Sequence, residues 1–150
     1  MARGDLTVFN QAKAYMIDNG WAAADEIWLG LVTNSPAPAA TATVPAYATG
    51  GTTNYTAIAT AGNYAAGGQL LCTLANAVVE AAGVMTFDDT DASATWAQHA
   101  SNPATAYHAI VYNKTKSNAA IAWIDLAGPI DMTAGDLTIT WNVSGLFTIT

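Results

Sequence analysis

The chain has 150 residues, of which 10% are charged, and 11 Asp and Glu against 4 Lys and Arg give a formal net charge of -7. That length supports one domain with a real core, and the negative balance repels a phosphate backbone, which argues against nucleic acid as a partner. An ordinary soluble domain is about 25% charged; here Ala, Thr, Gly and Asn take those places, leaving a surface that is cheap to dehydrate and suited to packing against other protein.

Reading from the start, "MARGDLTVFNQ" lacks the long apolar stretch of a secretory signal, and no later run approaches the ~18 residues of a membrane span. We therefore expect no membrane partner. A single cysteine, Cys72, rules out an internal disulfide framework. Asp5 is a helix-capping residue type, and Leu6, Phe9, Ala12 and Met16 follow at spacings of three, three and four before Asn19-Gly20. That pattern predicts an amphipathic helix over 6–18. Next, "EIWLGLVT" places apolar residues on both faces of an extended segment, as an inner strand requires.

From 34 to 68 the texture changes to Ala, Thr, Gly and Pro, with three prolines and five glycines and neither a helical nor a strand period. This predicts a long irregular arm. Loops beyond about 15 residues in a compact domain are usually functional or flexible. With Tyr47 and Tyr55 set among alanines, we expect the arm to order against a partner. The remainder reads as short strands at 69–74, 77–81, 84–88, 106–113, 119–126, 137–143 and 146–150. In "DLTITWNV", Leu137, Ile139, Trp141 and Val143 alternate with Thr138, Thr140 and Asn142, giving one buried and one wet face, with Ser144-Gly145 as the following turn. "NKTKSN" reads as a polar hairpin connection in which Lys114 and Lys116 keep the tip solvated. The expected fold is mainly β: an antiparallel β-sandwich or jelly-roll-like barrel, one domain over 1–150, with one N-terminal α-helix and the long arm.

Residues for catalysis are sparse. The histidines are His99 and His108, and Cys72 sits in "QLLCTLA", where apolar neighbours raise a thiol pKa rather than activate it. Asp88, Asp89 and Asp91 in "FDDTDAS" lack the glycine turn and distal glutamate of a calcium loop and read as a strand end and turn. Asp125 in "WIDL" reads as a strand-end acid bonded to backbone. Neither "GG" pair has the Lys and Ser or Thr of a phosphate loop. We expect no catalytic residues, metal or cofactor. Of the five tryptophans, Trp28, Trp123 and Trp141 have apolar neighbours and look like core, leaving Trp21 and Trp96 as platforms for a carbohydrate-binding module.

"WLGLVTN" at 28–34, "NYAAGGQLL" at 63–71, "FDDTDASATW" at 87–96, "YHAIVYNKTKSNAAIAWIDLAG" at 107–128 and "AGDLTITWNVSGLFTI" at 134–149 follow one another in a recognisable order. In that order and over nearly its whole length, the chain resembles a family of small structural proteins of tailed bacteriophage virions. Leu126-Ala127-Gly128, Pro129 and the composition of 34–62 depart from the family pattern. The resemblance implies a non-enzymatic virion component, made in the bacterial cytoplasm and placed on the outer surface of the capsid as a decoration or cement protein. Its expected partners are the major capsid protein and itself, as a homotrimer or other homo-oligomer. A tail or head-tail connector subunit and a carbohydrate-binding module for host attachment are the alternatives. We expect partner contacts at Phe9, Met16, Pro36, Pro38, Tyr47 and Tyr55, with Lys114 and Lys116 facing solvent or a neighbouring copy.

Overall fold

The computed structural model describes residues 4–18, 20–81, 84–87, 93–141 and 147–149. Its centre is a hairpin of two apolar strands, β9 (Ala106–Asn113) and β10 (Ala119–Ile130), joined by the polar tip that sequence reading placed there. β2 (Glu26–Val32) lies antiparallel on β9, and β5 (Gln69–Thr73) lies on β2, so β2 is an inner strand with apolar residues on both faces. On the far side of β10, β3 (Pro45–Tyr47) and β4 (Thr53–Tyr55) extend the sheet, and β1 (Leu6–Val8) shares that edge. Every strand pairing is antiparallel except β3 with β4, which makes the sheet mixed. Two smaller sheets complete the β structure. One joins β8 (Ala94–Trp96) to β11 (Leu137–Ile139), and the other joins β6 (Val78–Ala81), β7 (Val84–Phe87) and β12 (Phe147–Ile149). Among the described residues, helix is confined to α1 (Ala12–Asp18) and a four-residue turn, α2 (Leu74–Ala77).

Opposed residues on paired strands share a face. The register therefore sets Trp28, Gly30 and Val32 beside Tyr112, Ile110 and His108 on one side, and Leu29 and Leu31 beside Val111 and Ala109 on the other. The first side is covered by aromatic rings delivered from elsewhere. Tyr47 stacks on Tyr112 at 4.4 Å and 10°, Phe9 meets Trp123 at 4.6 Å, and Tyr55 lies 5.7 Å from Phe9. Gly30 makes this possible, because a Cβ there would stand 2.4 Å from the Tyr47 ring. Burying a ring of this size contributes about 1.5–3 kcal/mol, so the arm adds to the stability of the domain it crosses.

Three expectations are corrected. Residues 6–18 are a strand, a turn and a short helix, not one helix. The unpaired edge of β10 offers Leu6, Thr7 and Val8 ladder partners at Ile124, Trp123 and Ala122, and Phe9 N–H donates to Ile121 O. Leu6 packs on the core from the strand, while Phe9 and Ala12 reach it from the turn and helix, so one apolar spacing spans different elements. The arm is also not irregular throughout. It contributes β3, β4, a bridge from Ala57 to Val32, and the core residues Tyr47, Tyr55, Ile58 and Tyr64. Finally, β10 continues past 126 to Ile130, and β11 ends at Ile139. The proposed turn at 144–145 and the acidic run 88–91 lie outside the described residues.

Candidate functional site

The long axis of β9 and β10 gives the domain two chemically different ends. At the hairpin end, Asn113 is fully buried; its Nδ2 donates to Asp25 Oδ2 at 3.0 Å, and its Oδ1 accepts from Lys116 N–H at 3.1 Å. The same Asp25 oxygen accepts from Ala22 N–H at 3.1 Å, so one buried carboxylate anchors the approach to β2 against the tip. Lys114 does more than keep the tip wet. Its ammonium lies 3.4 Å from the centre of the Trp28 ring, whose Nε1 donates to Glu26 Oε2 at 3.0 Å. Such a contact holds the exposed lysine over an aromatic face. Lys116 is half-buried, and Lys13 lies on α1, whose Tyr15 borders the tip. Every described lysine therefore sits at this end.

The opposite end is built from loops. His108 Nε2 is 3.0 Å from Asn34 Oδ1, and Thr56 Oγ1 donates to Ser35 O at 2.7 Å, which ties 34–35 to β9 and to the arm. Burial of its ring holds the His108 pKa below the ordinary value, against the opposing pull of Asp125. Asn102 is the main fastener. It is 5% exposed, and its Oδ1 accepts from Asn63 N–H at 2.7 Å while its Nδ2 donates to Ala97 O at 2.8 Å and Met132 O at 3.1 Å. A buried amide satisfied on both sides fixes loop geometry far better than an exposed one. The result is a surface of exposed residues at 34–37, 59–60, 62–63, 65–66, 97–101 and 104–105 that contains no Asp, Glu, Lys or Arg.

The carboxylates bordering this surface accept from backbone N–H groups, one of them on the surface itself. Asp136 Oδ1 accepts from Gln98 N–H at 2.7 Å, Asp131 Oδ1 from Thr133 N–H at 2.9 Å, and Asp125 Oδ1 from Ala127 N–H at 2.8 Å. Asp125 is thus bonded to backbone as read from the sequence, but it lies within β10 and not at a strand end. The Thr133 hydroxyl, and after it the Thr133 backbone N–H, keep the Asp131 pKa below the usual carboxylate range. No cation lies at this end among the described residues.

The eight predicted contact residues divide between surface and core. Pro36 is exposed and Pro38 half-buried in the charge-free segment, Met16 is half-buried against the core, and Lys114 and Lys116 are at the other end. Phe9, Tyr47 and Tyr55 are core, which corrects their expected role: an aromatic already stacked inside the domain offers nothing to a partner. Trp96 is 2% exposed with its ring 5.8 Å from Tyr64, and Trp21 is half-buried against the core, so neither is an open platform for a sugar. Two long uncharged runs in the sequence contain the loops of this surface, together with core strands and the arm beside the hairpin tip. No Asp, Glu, Lys or Arg occurs between Glu26 and Glu80, or between Asp91 and Lys114.

Among the described residues no three of His, Cys, Asp and Glu converge as metal ligands, and no helix is long and apolar enough to cross a membrane. No family model, curated protein or solved structure matches the chain.

Proposed function

We propose that this chain is a non-enzymatic structural subunit of a tailed-bacteriophage virion. In this reading it is a decoration or cement protein that binds across major capsid protein subunits on the outside of the head, as a homotrimer. The observation that carries the reading is the uncharged loop surface at this end, which the exposed carboxylates of Asp131 and Asp136 border. A contact surface without charge avoids the largest desolvation penalty, and here its loops are already held in place by Asn102, Asn63 and Thr56, so little ordering entropy opposes docking. The order of segments shared with virion structural proteins supports the same reading.

Binding to the assembled lattice and not to its dissociated subunits stabilises the lattice by mass action, and repetition over the shell multiplies a modest contact. Closed three-fold symmetry suits a position where capsid subunits meet. Catalysis has no part in this mechanism. The test is to strip particles of this chain, add the purified protein back and heat them. The proposal predicts that the protein re-binds heads and raises the temperature at which they release DNA. Binding to tails alone, or heads that rupture at the same temperature with and without it, would refute the head-cement reading.

A further inference from the structure

His108 stands where the uncharged loops meet the sheet. On β9 it lies between Val32 of β2 and Asp125 of β10 in register, and its Nε2 is 3.0 Å from Asn34 Oδ1. An amide oxygen only accepts, so Nε2 carries the proton and Nδ1 is left as a bare lone pair. That Nδ1 is shielded from water and has no hydrogen-bond partner among the described residues. The ring is therefore arranged for its neutral form. A proton added at Nδ1 in this position would make a cationic N–H that neither water nor an acceptor reaches, which is strongly unfavourable.

The charges near the ring lie on one side of it. Val32 is apolar and Asn34 uncharged, whereas β10 presents Asp125, with Asp5 just before β1 on the strand beyond, where Gly4 N–H donates to Asp125 O. Asp125 Oδ1 accepts from Ala127 N–H at 2.8 Å, which holds that carboxylate in place. Burial lowers the His108 pKa and Asp125 opposes the shift, so the neutral and charged rings favour different neighbours. His99, the other histidine at this end, is exposed on 97–101, and its Nδ1 accepts from Ser101 N–H within its own loop.

We propose that His108 is a pH-sensitive latch on the docking surface: neutral, it holds Asn34 and with it the exposed segment 34–37, and protonated, it turns from Asn34 to Asp125 and releases that segment. The bond from Thr56 Oγ1 to Ser35 O then remains, and it does not titrate. A released segment must be ordered again on docking, and an imidazolium brings a charge to loops that have no Asp, Glu, Lys or Arg. Both effects weaken docking in acid. Histidine is the side chain suited to such a role, because modest changes in its surroundings move its charge across the mildly acidic range. The effect on docking rests on the reading of this end as the capsid contact; the latch itself does not.

NMR titration of the isotope-labelled whole chain from about pH 8 to about pH 4.5 tests the latch without heads. The backbone amides of Asn34 and Ser35 are expected to shift with the same midpoint as the His108 ring nitrogens. Asp125→Asn removes the charge that favours the imidazolium and should lower that midpoint, whereas Asn34→Ala removes the bond that favours the neutral ring and should raise it. In His108→Gln the Asn34 and Ser35 amides should no longer follow pH. Co-sedimentation with stripped heads over the same range reads the consequence: the fall in affinity should be at least about fivefold larger for the parent than for His108→Gln, as loss of about one hydrogen bond implies. Asn34 and Ser35 amides that stay fixed while His108 protonates, or a midpoint unmoved by Asp125→Asn, would overturn the latch. Equal falls in the parent and His108→Gln would overturn its effect on docking. Failure to bind heads at any pH would overturn the capsid reading, and the NMR titration would still decide the latch.

Discussion

Replacing Gly30 with Ala adds one methyl group where the arm lies closest to the sheet. The new Cβ would stand 2.4 Å from Tyr47 Cε2, 2.6 Å from Cζ and 2.9 Å from the hydroxyl oxygen, so the ring must move. That ring stacks on Tyr112, and its hydroxyl accepts from Gly67 N–H at 3.2 Å and contacts the Tyr64 hydroxyl at 3.4 Å. Overpacking costs about 1–3 kcal/mol, a disturbed aromatic pair about 0.5–1.5 and a lost hydrogen bond about 1, which together suggest about 3 kcal/mol. For a domain of this size that lowers Tm by about 6–12 °C. Urea unfolding followed by tryptophan fluorescence measures it. In a Tyr47→Leu background, where the atoms that clash are gone, the same substitution should cost less than about 1 kcal/mol. A Gly30→Ala cost below about 0.5 kcal/mol, or an equal cost in both backgrounds, would refute the packing argument.

Asn102→Ala leaves Asn63 N–H without its acceptor and removes one of two donors from Ala97 O and from Met132 O, and should destabilise by about 2 kcal/mol in the same unfolding assay. His108 has a folded pKa below its unfolded value, so the unfolded state binds the extra proton first; stability is full above about pH 6.5 and falls as pH drops below it. Denaturant midpoints measured from pH 8 to pH 5 should show that loss, and His108→Gln should reduce it. Tyr47, Tyr64 and Tyr112 are pushed above the ordinary tyrosine pKa chiefly by burial, so the unfolded chain loses protons first and stability falls as pH rises past about 10. Phenolate absorbance for these three should therefore rise only with unfolding.

Much of the frame was legible because local pattern and tertiary demand agree there. β2, β9 and β10 are mostly apolar segments, and the chain must reverse at "NKTKSN". The N-terminus misled because Leu6, Phe9, Ala12 and Met16 keep a helical spacing while β10's open edge draws the first of them into a strand. The arm misled for a related reason. Tyr47, Tyr55 and Tyr64 occur at no regular period since the arm crosses the sheet instead of running along it, and only Gly30, far away in sequence, records where Tyr47 must fit. Phe9, Tyr47 and Tyr55, expected at partner contacts, instead pack against the chain's own sheet. Asn102 carried no signal at all, because its role depends on loops brought together only by folding.

The central claim is that the uncharged loop surface is the docking surface. Ala37 and Ala100 are both exposed on it, and Lys13 is exposed at the other end. Co-sedimentation of Ala37→Glu, Ala100→Glu and Lys13→Glu proteins with heads stripped of this chain tests it most directly. A glutamate buried at a contact without a partner costs several kcal/mol, so each alanine variant should lose affinity at least about tenfold while Lys13→Glu binds as the parent does. Parent-like binding by both alanine variants, or loss confined to Lys13→Glu, would contradict the account.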